Sequence, residues 1–323
     1  MYDLIKILSD GGFHSGELIG KSLGVSRTAV WKKIGGLEKY DLQVESVRGK
    51  GYRLIDGNPL SLLDGSVIQA SLGDAASASL KGLEIHQIIE STNTHLMLQM
   101  ADGLVSGRVC LAEKQTGGRG RRGRVWVSPY AGSVYMSVTQ VFQSGAVSTE
   151  GLSLAIGVLV ADALAKLGIA DIQLKWPNDI YWQGKKLAGI LLELVGDAAG
   201  ECAVVAGLGL NVNLPSSASA EIDQAWIDLQ SIVEAKISRN ELVAQLLNSL
   251  LPALSSYETN GFESYLQRWT ELDYLKGSQV SASIGDSAVV GVAKGVNERG
   301  ALVIETPLGS QIINGGEVSV RKA

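Results

Sequence analysis

The sequence predicts a multidomain α+β protein, and three successive textures along the chain predict it. Residues 1–60 keep helical spacing and then turn to a hairpin, residues 61–275 mix apolar helix with alternating strands, and residues 276–323 are short strands parted by glycine-rich turns. The expected architecture is an N-terminal winged helix-turn-helix, a central mixed α/β domain with a largely antiparallel sheet, and a small C-terminal SH3-like β-barrel.

Each element follows from local pattern. Leu4, Ile7 and Leu8 keep helical spacing, and a second segment covers Ser15 to Leu23. Gly24-Val25 suits a tight turn before Ser26, a good N-cap for a third segment with Val30, Ile34 and Leu37 on one face. Leu42 to Val47 and Tyr52 to Ile55 read as strands around Arg48-Gly-Lys-Gly51. In the middle, Val109 to Glu113 and Ser133 to Phe142 read as strands. Leu152, Ile156, Leu159, Val160, Ala163, Leu164 and Leu167 draw one apolar helical stripe. Ile172, Leu174 and Trp176 alternate with Gln173 and Lys175, a half-buried strand. Ile180 to Trp182, Leu187 to Val195 and Cys202 to Leu214 come next on short connections, which favours antiparallel pairing. Helical patterning returns from Asn240 to Tyr257, where Pro252 predicts a kink or break. Val280 to Ile284, Ala288 to Ala293, Ala301 to Glu305, Gln311 to Ile313 and Val318 to Val320 complete the strand-only end.

Composition narrows the function classes. With 323 residues, 46% hydrophobic and 19% charged, the chain has ample core and is not disordered as a whole. A net charge of −5 excludes a polybasic nucleic-acid coat. Cys110 and Cys202 lie far apart, which excludes a disulfide scaffold and a zinc ribbon and suits a reducing cytoplasm. The 3 histidines, His14, His86 and His95, lead to the expectation of no protein-built metal site. The apolar run from Gly151 to Ala161 stops at Asp162, too short to span a bilayer, so no membrane partner is expected.

Charge is unevenly placed. Between Ser26 and Arg53 the net charge is +4, the local excess that phosphate contact requires. The third helical segment would present Arg27, Thr28, Trp31 and Lys32 outward, with Arg48 and Lys50 on the wing. The alternative is a solvated helical domain; the order of turn, helix and basic wing favours DNA binding.

Further on, Gly118-Arg-Gly-Arg-Arg-Gly123 matches a dinucleotide fingerprint in letters only. The adjoining stretch, Arg124-Val-Trp-Val-Ser-Pro129, is β-like and offers no helix N-terminus for a pyrophosphate. That leaves a flexible loop carrying Arg119, Arg121, Arg122 and Arg124, planar donors suited to phosphate and carboxylate, or else a solvated basic loop. Lys175-Trp-Pro-Asn-Asp179 ends a strand with polar residues gathered at the break. Lys186 then enters the apolar Leu187-Ala-Gly189-Ile, awkward unless its charge meets an anion, with room left by Gly189.

Taken in order, Ser91-Thr-Asn93, Gly118 to Trp126, Lys175 to Asp179, Lys186 to Ile190 and Gly207-Leu-Gly-Leu-Asn211 resemble the biotin protein ligases over nearly the whole chain. With the helix-turn-helix in front, the chain resembles the bifunctional bacterial form that also represses the biotin operon. The resemblance implies ATP and biotin as substrates, biotinyl-5′-adenylate as intermediate and corepressor, and Mg²⁺ with the ATP. It implies a biotin carboxyl carrier protein as acceptor, operator DNA as partner, and a homodimer formed on binding the adenylate. It assigns Lys186, Arg119 and Arg121 to catalysis, with Asp179 as orienter or base. It places Ser91, Thr92, Asn93 and Gln115 around biotin, Gly118, Gly120 and Gly189 at the ligand, and Trp126 and Asn211 at the adenine. The segment from Asp223 to Val233 matches no motif.

Overall fold

The computed structural model describes residues 1–55, 59–197, 199–285, 287–315 and 318–322. Its N-terminal part holds α1 (Tyr2–Leu8), α2 (Gly16–Leu23) and α3 (Arg27–Gly35), then β1 (Val44–Val47) and β2 (Gly51–Leu54). Ser15 and Ser26 cap α2 and α3 by accepting from Leu18 N and Ala29 N. Gly24 ends α2 in the left-handed region, φ 65°, which turns the chain into α3. β1 and β2 pair antiparallel as the expected wing. Leu4, Ile5, Leu8, Ile19, Val30, Leu37 and Leu54 form this part's own core, which Tyr130 and Ala131 of the next part help to close.

The central part runs through α4 (Gly65–Ala70), α5 (Asp74–Ser79), β3 (Gly82–His86), α6 (Thr92–Ala101), β4 (Arg108–Ala112), β5 (Ser133–Phe142), α7 (Leu152–Lys166), β6 (Ile172–Lys175), β7 (Asp179–Trp182), β8 (Lys185–Gly196), β9 (Cys202–Asn211), α8 (Arg239–Asn260) and α9 (Glu263–Leu272). Its strands form a 7-stranded sheet in the order β3-β4-β5-β9-β8-β7-β6. The β3–β4 pair is parallel and the other pairs are antiparallel, in line with the short connections.

Alternation along the strands decides what each face does. Ala188 and Ile190 of β8, with Val204, Ala206, Leu208 and Leu210 of β9, turn into the main core with α7 and α8. Ala203 and Val205 turn to the other side, where Leu96 and Met100 of α6 and Cys110 of β4 meet them. The stretch Ala146–Lys166 has the length and hydropathy of a membrane span, but α7 is a core helix here, with ten residues from Leu152 to Leu164 buried.

Pro252 does not break its helix: α8 runs unbroken over 22 residues. Leu246, Leu247, Leu250 and Leu251 before it and Leu254 and Tyr257 after it are all buried, so packing outweighs the local cost of proline.

The C-terminal strands β10 (Gln279–Ile284), β11 (Ser287–Val296), β12 (Leu302–Thr306), β13 (Gly309–Ile313) and β14 (Val318–Lys322) form a 5-stranded antiparallel sheet in the order β13-β12-β11-β10-β14. No β13–β14 pairing closes it into a barrel among the described residues. Val280, Leu302, Ile304 and Val320 belong to the same core as α7 and α8, and Trp176 Nε1 donates to Gly300 O at 2.9 Å. This sheet is therefore packed as a wall of the central part.

Candidate active site

A cavity of about 830 Å³ opens over the sheet face that α6 flanks. Its floor is kept flat by glycine. Gly189 of β8 and Gly209 of β9 are cross-strand partners, and the Trp126 indole lies against both. A Cβ on Gly209 would fall 2.5 Å from Trp126 Cε2, and one on Gly189 would fall 3.0 Å from Cζ3. The indole Nε1 is buried without a hydrogen-bond partner among the described residues.

Lys186 Nζ lies 5.4 Å from the Trp126 ring centroid and 2.8 Å from Asp179 Oδ1, both side chains being mostly buried. Asp179 sits at the start of β7, opposite Gly189 in the ladder. Lys175 stands nearby, donating to Tyr181 Oη at 3.3 Å. Burial holds the Lys175 ammonium below its ordinary pKa, and Asp179 partly offsets this. Burial likewise lowers Arg121 and raises Tyr181. The cavity thus gathers cations in a poorly solvated space, an environment suited to an anion.

One wall is the start of α6. Ser91 caps the helix by accepting from Thr94 N. Gln115 Oε1 accepts from Thr92 N at 2.9 Å and Thr92 Oγ1 at 3.2 Å. Asn93 Oδ1 accepts from Ser137 Oγ at 2.6 Å, while its Nδ2 donates to Glu193 Oε2 at 2.8 Å. Gly207 is required below it, since a Cβ there would fall 2.3 Å from Asn93 Oδ1.

The arginine loop is a small hairpin. Trp126 N donates to Gly118 O at 2.9 Å and Gly120 N to Arg124 O at 2.8 Å. Arg122, φ 59°, and Gly123, φ 69°, turn its tip. Arg119 Nη2 donates to Thr94 Oγ1 at 2.9 Å and Glu193 Oε1 at 3.3 Å. Arg121 reaches the other way, to Asn178 Oδ1 at 3.1 Å and to Val318 O of β14 at 3.4 Å. The loop so joins α6, the turn after β6 and the C-terminal sheet.

Of the residues expected at the site, Ser91, Thr92, Asn93, Gln115, Arg119, Gly120, Arg121, Trp126, Asp179, Lys186 and Gly189 line this cavity together. Gly118 and Asn211 do not. Gly118 supports the loop from behind, where a Cβ would meet Ser128 Oγ at 2.5 Å, and Asn211 is buried with its Nδ2 donating to Ile227 O at 3.0 Å. Sequence reasoning missed Lys175 and Tyr181 as lining groups, although Lys175 opens the motif it singled out and Tyr181 follows it closely. It also left 223–233 without a role. Lys186 N donates to Ala225 O and Ile227 N to Lys186 O, both at 3.0 Å, so this segment fixes the backbone of the lysine, and Glu221, Asp223 and Gln224 form cavity wall. Backbone pairing of this kind leaves no side-chain signal.

In the N-terminal part, Arg27, Thr28, Trp31 and Lys32 of α3 and Arg48 and Lys50 of the wing lie toward solvent, Thr28 and Trp31 included. Trp31 is 65% exposed, a large apolar surface outside the core of its own part. Arg53, by contrast, is spent in an ion pair with Glu45. This face presents donors and cations along one helix and one hairpin, as groove binding requires.

Comparison with known proteins gives a consistent result. Residues 85–211 match the Biotin/lipoate A/B protein ligase family, residues 1–53 an HTH domain, and residues 277–321 the Biotin protein ligase C terminal domain. The chain is 39% identical over 320 residues to the bifunctional ligase/repressor BirA of Escherichia coli, covering 99% of this chain and 97% of that protein. It is 32% identical over 321 residues to the bifunctional ligase/repressor BirA of Bacillus subtilis, covering 98% of each. Among solved structures it resembles the biotin protein ligase from Aquifex aeolicus in complex with biotin and ATP. There the TM-score is 0.64 at 28% identity, over 76% of this chain and 100% of that one.

Proposed function

The chain belongs to the biotin protein ligase family, in its bifunctional ligase/repressor branch, and from that premise we propose how its residues divide the work. It is a biotin ligase that uses biotin and ATP, with a DNA-binding helix-turn-helix in front. The observation that carries the assignment of residues is Lys186, an ammonium in an apolar strand, facing a cavity with Asp179 and an unpartnered indole donor beside it.

Joining biotin to ATP makes biotinyl-5′-adenylate and pyrophosphate. The biotin carboxylate must meet the α-phosphate in line, and the repulsion between two anions must be offset. Lys186 leaves Asp179 to neutralise the carboxylate and then the charge growing on the phosphate. Asp179 orients Lys186 before reaction, and accepts a proton from the incoming amine in the second step. Thr92, Asn93 and Gln115 pair with the ureido group of biotin. Arg119, Arg121 and the backbone of Gly120 clamp phosphate, and Trp126 turns from its glycine floor to cover the bound ligand. Mg²⁺ bound with the ATP would supply charge neutralisation for the pyrophosphate. The Glu221 and Asp223 carboxylates on the cavity wall are oxygen donors of the type it takes, beside phosphate and water.

The acceptor is a lysine of a biotin carboxyl carrier protein. The adenylate acts as corepressor by favouring a homodimer that places two copies of α3 on an operator. Both cysteines are free and buried, as a reducing cytoplasm allows. Incubation with ATP, biotin and a carrier domain, followed by mass measurement of the carrier, tests the reading. A gain of one biotinyl group is expected; an unchanged carrier would favour a repressor that senses its ligand without catalysis.

A further inference from the structure

His86 and His95, outside the cavity lining, come together where β3, β4 and α6 meet. His86 closes β3, His95 lies in the first turns of α6, and Cys110 sits in β4 with its side chain toward α6. Each offers one donor atom, and these atoms all lie within 4.8 Å of one another. The two imidazoles meet edge to face, 4.7 Å between centroids. Glu84 is the ladder partner of Cys110. Its Oε2 stands 2.8 Å from His95 Nε2 and 3.4 Å from His86 Nε2. Its Oε1 accepts from Gln99 Nε2 at 2.9 Å, and Gln99 Oε1 accepts from Arg108 Nη1 at 2.9 Å.

We propose that His86, His95, Cys110 and Glu84 form a structural Zn²⁺ site separate from the biotin and ATP cavity. A carboxylate between two imidazoles alone is an ordinary hydrogen-bonded cluster. The added feature is a free, fully buried thiol at the same point. Two nitrogens, one sulfur and one oxygen are the donor set that Zn²⁺ takes in tetrahedral geometry. Bond lengths to Zn²⁺ require donor separations of roughly 3.3–3.7 Å. The His86, His95 and Cys110 donors must therefore close by about 1 Å, with the Glu84 carboxylate, which lies outside that cluster but against both imidazoles, moving in as the fourth donor; His86 and His95 have the freedom to do so at 32% and 27% exposure. As the Sγ–Zn bond forms, the Cys110 thiol gives its proton to water. The Glu84–Gln99–Arg108 chain holds the carboxylate in place, the outer support that metal sites use. With four protein donors the site is closed, hence structural. Its effect would reach the cavity through α6, whose first residues are Thr92 and Asn93.

The test uses the full chain, stripped of metal and titrated with Co²⁺. The expected result is an intense near-ultraviolet thiolate-to-cobalt band with tetrahedral visible bands. Zn²⁺ should displace the Co²⁺ at one equivalent and raise the thermal midpoint. Cys110→Ser should remove the near-ultraviolet band, with circular dichroism as the fold check. His86→Ala and His95→Gln, both at partly exposed side chains, carry the test if the buried cysteine variant fails to fold. Gln99→Ala should weaken Zn²⁺ binding by about 10- to 100-fold. Absence of the thiolate band, or Zn²⁺ affinity unchanged in both histidine variants, overturns the proposal.

Discussion

Lys186 is 15% exposed and paired with the Asp179 carboxylate at 2.8 Å, so its ammonium is held at the cavity in a fixed position. A ligand anion entering the cavity meets a cation that is already placed. Lys186→Ala should lower biotin-dependent ATP–pyrophosphate exchange by at least about 10²–10³-fold, the cost of removing one preorganised charge-stabilising donor. Near-normal exchange in a folded variant would take Lys186 out of the mechanism. Gly209 answers a different constraint, space. Gly209→Ala puts a methyl 2.5 Å from the indole, a strain of about 1–3 kcal/mol. Where the ligand-bound site needs the same space, biotin binding should weaken by about 5- to 150-fold. Calorimetric titration reads it; unchanged affinity would show that the floor is not shared. At this scale, groups that break their surroundings could be read from sequence: Lys186 among apolar residues, arginines among glycines. Lys175 and Tyr181 could not, because a strand end looks the same whether it faces solvent or a cavity. Asn211 is placed at the ligand by resemblance, yet its side chain is used to hold Ile227.

The arginine hairpin shows what one element adds beyond its residues. Its tip is positioned by Arg121, which bonds the turn after β6 and a backbone carbonyl of β14. Arg121→Gly removes both ties at once. A hydrogen bond from a charged donor contributes roughly 1.5–3 kcal/mol. The variant should still form biotinyl-adenylate, but release it about 10- to 100-fold faster, as followed by trapping the free intermediate. A release rate equal to that of the unmutated protein would show that the hairpin is no lid. Most strands were legible because alternation survives where one face of a sheet is core. The helices from Gly65 to Ser79 were not, since runs such as Asp74-Ala-Ala-Ser-Ala-Ser79 carry no apolar stripe and depend on packing against α8. At Pro252 the break that the sequence allowed does not occur, because leucines are buried on both sides of it.

Across the whole molecule, the DNA-binding part is seated directly on the ligand-binding part. Tyr40 meets Tyr130 edge to face at 5.5 Å between centroids, and Lys114 forms an ion pair with Asp41. Lys114 immediately precedes Gln115, which holds Thr92 in the cavity wall, so a shift at the ligand has a short path to the helix-turn-helix. No sequence pattern disclosed this, because Lys114 and Asp41 are 73 residues apart and individually ordinary. Removing residues 1–60 should abolish operator binding and retain some ligase activity, while uncovering the apolar surface around Tyr130 and Ala131. In the full chain, operator DNA and biotinyl-adenylate should tighten each other's binding by one common factor, since linkage is reciprocal. Couplings of this type run to about 5–150-fold. A single winged module makes few base contacts, so the gain should appear together with dimerisation on a two-fold site. Operator binding by the full chain should weaken steeply as salt rises, because neutralising phosphates releases counterions. Operator affinity with and without biotinyl-adenylate, measured beside sedimentation at the same concentrations, decides the matter. Equal affinity in the two conditions would separate the two activities and leave the contact at Lys114 a purely structural one.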